Sequence, residues 1–180
     1  MNKKIFMKGA KRLILIPALI FAGITAFSQE GIVDFTGNWT FNEKKSEPGE
    51  GRMEIEPYRL KVVHEEDNLI VERTAVDARG RTVELKGEYA VGGVTNVNTG
   101  MGGQEIRSAV TWSDDGEKLL FRTSRTVQPR GRAMQTREMR SDEAWSLSDD
   151  GKILTIEITR HTQRGRMKRR IVYDREGAVS

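Results

Sequence analysis

Beyond residue 28 no stretch sustains the 3.6-residue apolar repeat of an amphipathic helix. Apolar and polar residues instead alternate with a period of two, in short runs closed by turn-forming residues, which is the pattern of half-buried strands. The spacing predicts strands at 38–42, 59–64, 69–76, 81–90, 105–112, 118–127, 134–147 (with a candidate break at Asp142), 152–162 and 166–174.

Two kinds of connection separate these runs. One is acidic: "EEDN" at 65–68 and "SDDG" at 113–116 and again at 148–151. Asp and Asn side chains bond back to nearby backbone amides, and Gly takes the positive φ that closes a hairpin. The other is "RGR", at 79–81, 130–132 and 164–166. The two kinds alternate along the chain, so successive strands run up and down, with acidic loops at one end of the sheet and basic loops at the other. Segments 105–139 and 140–174 repeat one another on this plan. Aligned on the turn, Val110 matches Trp145, Trp112 matches Leu147, Leu119 matches Leu154, Phe121 matches Ile156 and Arg125 matches Arg160. The paired aspartates are explained by turn chemistry, because no calcium-loop spacing with a distal Glu follows them.

The expected fold is therefore all-β, an antiparallel up-and-down meander of about 8–10 strands. That many strands in one domain curl, and closure into a barrel removes the exposed edges. An open sandwich satisfies the same alternation.

The N-terminus changes the charge argument. Lys3, Lys4, Lys8, Lys11 and Arg12 precede the apolar run 13–27, and small residues stand at Ala26 and Ser28. This is the order of a secretory signal peptide, with cleavage expected between Ser28 and Gln29. The apolar run is short of the roughly 20 residues a spanning helix requires, so no stable membrane insertion is expected after cleavage. The division expected is a signal peptide at 1–28, a linker at 29–36, the barrel domain at 37–175 and a tail at 176–180. Five of the 30 Lys and Arg lie in the leader and none of the 26 Asp and Glu, which leaves 25 against 26. A near-neutral exported domain is not a nucleic-acid binder on charge grounds. The absence of cysteine excludes disulfides, thiolate catalysis and Cys-ligated zinc.

The order of several motifs resembles the small exported lipocalin-like proteins of bacteria. These are "FTGNWTFNEKKSE" at 35–47, "WSDDGEKLLF" at 112–121, "EAWSLSDDGKILTI" at 143–156 and "RRIVYDR" at 169–175. The wider calycin superfamily opens its first strand with G-x-W, here Gly37-Asn38-Trp39. The resemblance spans most of 35–175 and implies a barrel without naming a ligand. It also implies that Trp39 closes one end of the barrel against an arginine of the last strands, Arg169 or Arg175. Gly37, Trp39, Trp112 and Trp145 are accordingly structural. One departure stands out: the usual C-terminal helix of lipocalins is not evident.

Candidate chemistry is sparse. His64 and His161 are the only histidines, sit on different strands and have no metal-ligand spacing, so no metal and no cofactor is expected. The glycine-rich stretch 91–103 lacks the following helix and the Lys-Ser/Thr of a phosphate loop, and is expected to be a loop over a barrel mouth. The arginines carry more information. If Leu119 and Phe121 face inward, period two brings Arg125 to the same face, and Leu154, Ile156 and Ile158 carry Arg160 inward. Folding back at the RGR turns sets Arg137 near Arg125, and Arg169 near Arg160 beside Tyr173. A ring of guanidinium groups at the RGR end of an apolar interior suits a carboxylate or phosphate. Strand-end arginines that lay their stems on apolar surface are the structural alternative.

Three functions follow from this reading. The first is non-catalytic binding of a small hydrophobic or amphipathic ligand by Arg125, Arg137, Arg160, Arg169 and Tyr173. The second is an envelope module whose barrel is filled by its own side chains. The third is a hydrolase or isomerase using His64 or His161. The expected location is periplasmic or secreted.

Overall fold

A computed structural model describes residues 33–47, 57–77, 79–100, 102–127, 137–163 and 165–177, with Val127 and Arg137 described by backbone alone. The leader, the turn at 130–132, Arg164 and residues 178–180 lie outside this description, as do residues 134–136 of the predicted seventh strand.

Ten strands form one antiparallel sheet that curls into a nearly closed up-and-down barrel. They are β1 (Gly37–Phe41), β2 (Pro57–Glu65), β3 (Asn68–Val76), β4 (Thr82–Ala90), β5 (Thr95–Thr99), β6 (Glu105–Trp112), β7 (Leu119–Val127), β8 (Arg137–Leu147), β9 (Ile153–Thr162) and β10 (Gly165–Arg175). Nine lie where the alternation predicts them, and β8 runs through Asp142 without a break. The tenth, β5, overturns the expectation of a loop throughout 91–103. Its sequence, Thr-Asn-Val-Asn-Thr, has no apolar alternation, yet it pairs with β6 from Thr95↔Ala109 to Thr99↔Glu105.

Spatial order follows chain order, except that β1 also pairs with β10, with Trp39 opposite Arg175 and Phe41 opposite Tyr173. The remaining edges, β4 and β5, meet without a backbone ladder. The only helical element among the described residues is a 3-10 turn at Glu43–Lys45, capped by the Asn42 side chain.

Both SDDG turns have the same internal bonding. Ser113 Oγ bonds the Asp115 carboxylate, and the backbone amides of Glu117 and Lys118 donate to Asp115 and Ser113. Ser148, Asp150, Lys152 and Ile153 repeat this arrangement. Gly116 (φ 74°) and Gly151 (φ 65°) take the left-handed conformation that the turn requires. These bonds hold both Asp115 and Asp150 below the ordinary carboxylate range, the serine hydroxyl contributing most. The aspartates are used up in shaping the turns.

The acidic-turn end is the packed end. Trp39, Leu69, Val110, Leu119, Leu154 and Trp145 are fully buried there, together with Phe35. Each such side chain contributes on the order of 1.5–3 kcal/mol by leaving water. Phe35 belongs to the segment expected to be a linker, but it fills the barrel floor against Trp112 and Trp145, at ring-centroid distances of 6.2 and 6.4 Å.

Candidate ligand-binding cavity

Above this floor the barrel is hollow. A cavity of about 570 Å³ extends toward the RGR end, walled by β2 to β4 on one side and β5 to β10 on the other. Its apolar lining includes Leu60, Phe121, Ile156, Ile158 and Ile171. These are the inward members of the alternating strands, so the void follows directly from the period-two pattern.

Charge is distributed unequally around it. Six basic residues (Arg73, Lys86, Arg125, Arg140, Arg160 and Arg169) border the cavity among the described residues, against one acidic residue, Glu143. Arg140 and Lys86 also form exposed ion pairs with Glu138 and Glu88, at 2.9 and 2.6 Å. Glu138 is thus paired with Arg140 on the outer face. Glu157 is exposed.

Of the arginines singled out by sequence, Arg125, Arg160 and Arg169 line the cavity, and so does Tyr173. In each hairpin the two arginines are diagonal neighbours on one face and do not stand directly opposite each other. Arg125 stands opposite Met139 rather than Arg137, which pairs with Val127 one inward position nearer the strand end. Arg160 stands opposite Met167, and Arg169 opposite Ile158. The register therefore staggers these positions along the wall. The Arg137 side chain lies outside the described residues.

Sequence reasoning missed Arg73 and did not place Glu143 at the centre. Leu69, Val71, Arg73 and Ala75 share one face of β3, and Glu143 shares the inward face of β8 with Trp145. Arg73 Nη1 lies 3.3 Å from the Tyr89 hydroxyl, and its guanidinium carbon lies 5.8 Å from the Trp145 ring centre. Burial pulls against its charge, but the fields of Tyr89 and Glu143 outweigh burial and raise its pKa, so Arg73 stays cationic. Glu143 accepts a 3.0 Å bond from Trp145 Nε1. Nearby, Ser108 and Thr123 share a 2.9 Å hydroxyl contact. Burial raises the Tyr173 phenol far above its ordinary pKa, so it remains a neutral donor, bonded to the Pro57 carbonyl at 3.1 Å. Polar groups thus reach well down the wall, where the sequence suggested only a polar rim.

The structural residues have defined positions. Arg175, not Arg169, covers Trp39, with its guanidinium carbon 4.3 Å from the ring centre. Its Nη1 and Nε donate to the carbonyls of Thr36 and Gly151 at 2.6 and 2.7 Å. Gly37 admits this side chain, since a Cβ there would stand 2.9 Å from Arg175 Nη1. Trp112 packs on Phe35 and His64, and Trp145 forms part of the core beneath the cavity.

Neither histidine lines the cavity. His64 sits at the packed end, 5.7 Å from the Trp112 ring, with its buried Nε2 lacking a hydrogen-bond partner among the described residues. His161 lies on the outer surface, 2.6 Å from Asp142. Among the described residues no group of three or more His, Asp or Glu is arranged to hold a metal ion.

No family model matches the chain, and no curated protein does. Among solved structures it is similar to zebrafish ileal bile acid-binding protein complexed with cholic acid. Identity there is 12%, over 78% of this chain and 98% of that one, with a TM-score of 0.48. It is also similar to the siderocalin Ex-FABP, described as functioning through dual ligand specificities. Identity there is 15%, over 81% of this chain and 76% of that one, with a TM-score of 0.35.

Proposed function

We propose that this protein is an exported carrier or receptor of a small amphipathic molecule, held inside the barrel without chemical conversion. The observation that carries this reading is the void of about 570 Å³ above a packed floor. Pockets that bury a small organic ligand occupy about 300–1,000 Å³. A barrel filled by its own side chains would leave no space of that size, so the void favours ligand binding over a purely structural module.

The lining supports the ligand's character. Isoleucine, leucine and phenylalanine surfaces accept a hydrocarbon body, and guanidinium groups on the wall suit an anionic end such as a carboxylate. Arg125, Arg160, Arg169 and Tyr173 are the proposed contacts from the sequence, joined by Arg73. The positions of both histidines, away from the void, weigh against catalysis by His64 or His161.

Native mass spectrometry of the purified protein, with displacement of anilinonaphthalene sulfonate by long-chain carboxylates, tests the reading. A bound small molecule, or saturable displacement at one site per chain, is expected. Loss of both signals would remove it. Export rests on the leader. The mature mass is expected to begin at Gln29, and a chain that retains residues 1–28 in the cell would contradict that part.

A further inference from the structure

Midway along the barrel wall, two opposite charges line the same void without bonding each other. Arg73 of β3 is held by Tyr89 and stacked on Trp145, while Glu143 of β8 is held by Trp145 Nε1. Among the described residues these are the only hydrogen bonds that either side chain makes, and no ion pair joins the two. A guanidinium has five N–H donors and a carboxylate about four acceptor sites, so most of the capacity of both groups is unused. Both groups face the cavity, and a ligand that covered them without bonding would cost about 1–3 kcal/mol for each bond left unmade.

The arrangement is built rather than incidental. Tyr89 packs edge-on against Phe121 at 5.4 Å, and Phe121 lies 4.9 Å from Trp145, so the aromatic groups that hold Arg73 and Glu143 are themselves fixed. Gly87 makes room for this packing, because a Cβ there would meet the Tyr89 ring at 2.8 Å. Both charged groups are therefore presented to the cavity by a preorganised frame.

The chemistry of the pair narrows what fits. A second anion here would gain from Arg73 and be repelled by Glu143, and a cation would meet the reverse. A plain hydrocarbon would leave both groups unsatisfied. A hydroxyl accepts from the guanidinium and donates to the carboxylate at once. Building on the cavity-binding reading, we propose that the ligand is a hydroxylated amphiphile, and that Arg73 and Glu143 select it by bonding a hydroxyl on its body.

The test is a comparison of matched acids. Stearate is set against 12-hydroxystearate, and cholanate against deoxycholate, each displacing anilinonaphthalene sulfonate from the mature protein. Wild type is expected to prefer the hydroxylated member of at least one pair by about tenfold, the size expected when a buried polar pair is otherwise left unbonded. Arg73→Met should bring that ratio to within about twofold of unity while still binding the plain acid. Glu143→Gln keeps an acceptor for Trp145 and nearly the same shape, and should cut the ratio at least about threefold. It holds the test open if the arginine variant fails to fold. Equal binding of both members by wild type, or an unchanged ratio in the folded variants, overturns the hydroxyl proposal and leaves cavity binding standing. Failure of every acid to displace the probe, with no small molecule bound in native mass spectrometry, removes the cavity reading and this proposal with it.

Discussion

The barrel closes at two seams made of different materials. Where β1 meets β10 the strands exchange backbone hydrogen bonds from Trp39↔Arg175 to Phe41↔Tyr173. Arg175 lies across Trp39 as a cover, tied to two carbonyls. Where β4 meets β5 there is no such ladder. Asn98 instead accepts from the Glu88 amide at 2.9 Å and donates to the Glu88 carbonyl at 3.0 Å. Asn96 treats Ala90 in the same way, at 2.8 and 3.1 Å, and reaches the carbonyls of Val94 and Ser108 as well. A primary amide has the same donor and acceptor as a peptide group, so it can stand in for a neighbouring strand. It does so from a side chain with rotamers to freeze, and it buries little apolar surface. The first seam is therefore held by a backbone ladder over core packing, and the second by side-chain amides that take the place of a ladder.

If that contrast is right, the β1–β10 seam should be much the more sensitive to truncation. Trp39→Ala removes a fully buried indole and is expected to cost about 3–5 kcal/mol. Arg175→Met keeps some packing over the ring but leaves the Thr36 and Gly151 carbonyls without their donor. It is expected to cost about 2–4 kcal/mol. Urea unfolding followed by tryptophan emission reports both. A loss under about 1 kcal/mol for Trp39→Ala would show that the floor does not depend on this seam.

At the other seam, Asn96→Ala is expected to cost about 1–2 kcal/mol, because it leaves a backbone amide and several carbonyls short of partners at a partly wet edge. Asn98→Ala, with half as many bonds, should cost about half as much. The two changes act on neighbouring rungs, so their effects should not add, and a double-mutant cycle measures the coupling. Equal costs for Asn96→Ala and Arg175→Met would erase the distinction between the seams.

The same contrast explains what was legible in the sequence. Strands that face a core must alternate, and nine of the ten did so visibly. β5 answers to a different requirement. Its Asn96 and Asn98 serve the β4 backbone, and its outward Val97 is 60% exposed, so no apolar stripe marks it. In the cavity, Arg125 and Arg160 could be placed because each continues an inward face, Arg160 directly after Ile158 and Arg125 after Phe121 and Thr123. Arg73 continues the stripe of Leu69 and Val71 in the same way, but it stands outside the repeated segments 105–139 and 140–174 that drew the arginines into view. Glu72 turns outward, to Lys61 at 3.2 Å, while Arg73 turns in. The stagger of the arginines was not readable, because it depends on register across turns whose length the pattern leaves open. The cover on Trp39 was narrowed to Arg169 or Arg175, and only the pairing of β1 with β10 selects between them.

Acid should separate the seams by the smallest margin. Asp174, on β10, is bonded by Lys45 Nζ at 2.9 Å and by Asn42 Nδ2 at 2.5 Å. The Lys45 bond does most to hold its carboxyl below the ordinary value of 3.8. At Asp34, burial works toward a higher pKa, but the bonds from Thr36 and the charges of His64 and Arg175 bring it lower. For both groups the folded pKa lies below the unfolded one, so the unfolded chain binds more protons in between. Their contribution to stability is full above about pH 4 and is lost as the pH falls through the lower folded values. The amides of Asn96 and Asn98 do not titrate there. Lowering the pH from about 6 to about 3 should therefore reduce hydrogen-exchange protection in β1 and β10 more than in β4 and β5, after correction for intrinsic rates. The difference should be small, because Asp174 and Lys45 are about half exposed and such pairs are weak and screened by salt. Asp174→Asn removes one titrating group while keeping a bonding partner for Lys45, and should shrink the difference further. Equal loss of protection at both seams would mean that the charges around β10 contribute nothing specific to holding the barrel closed.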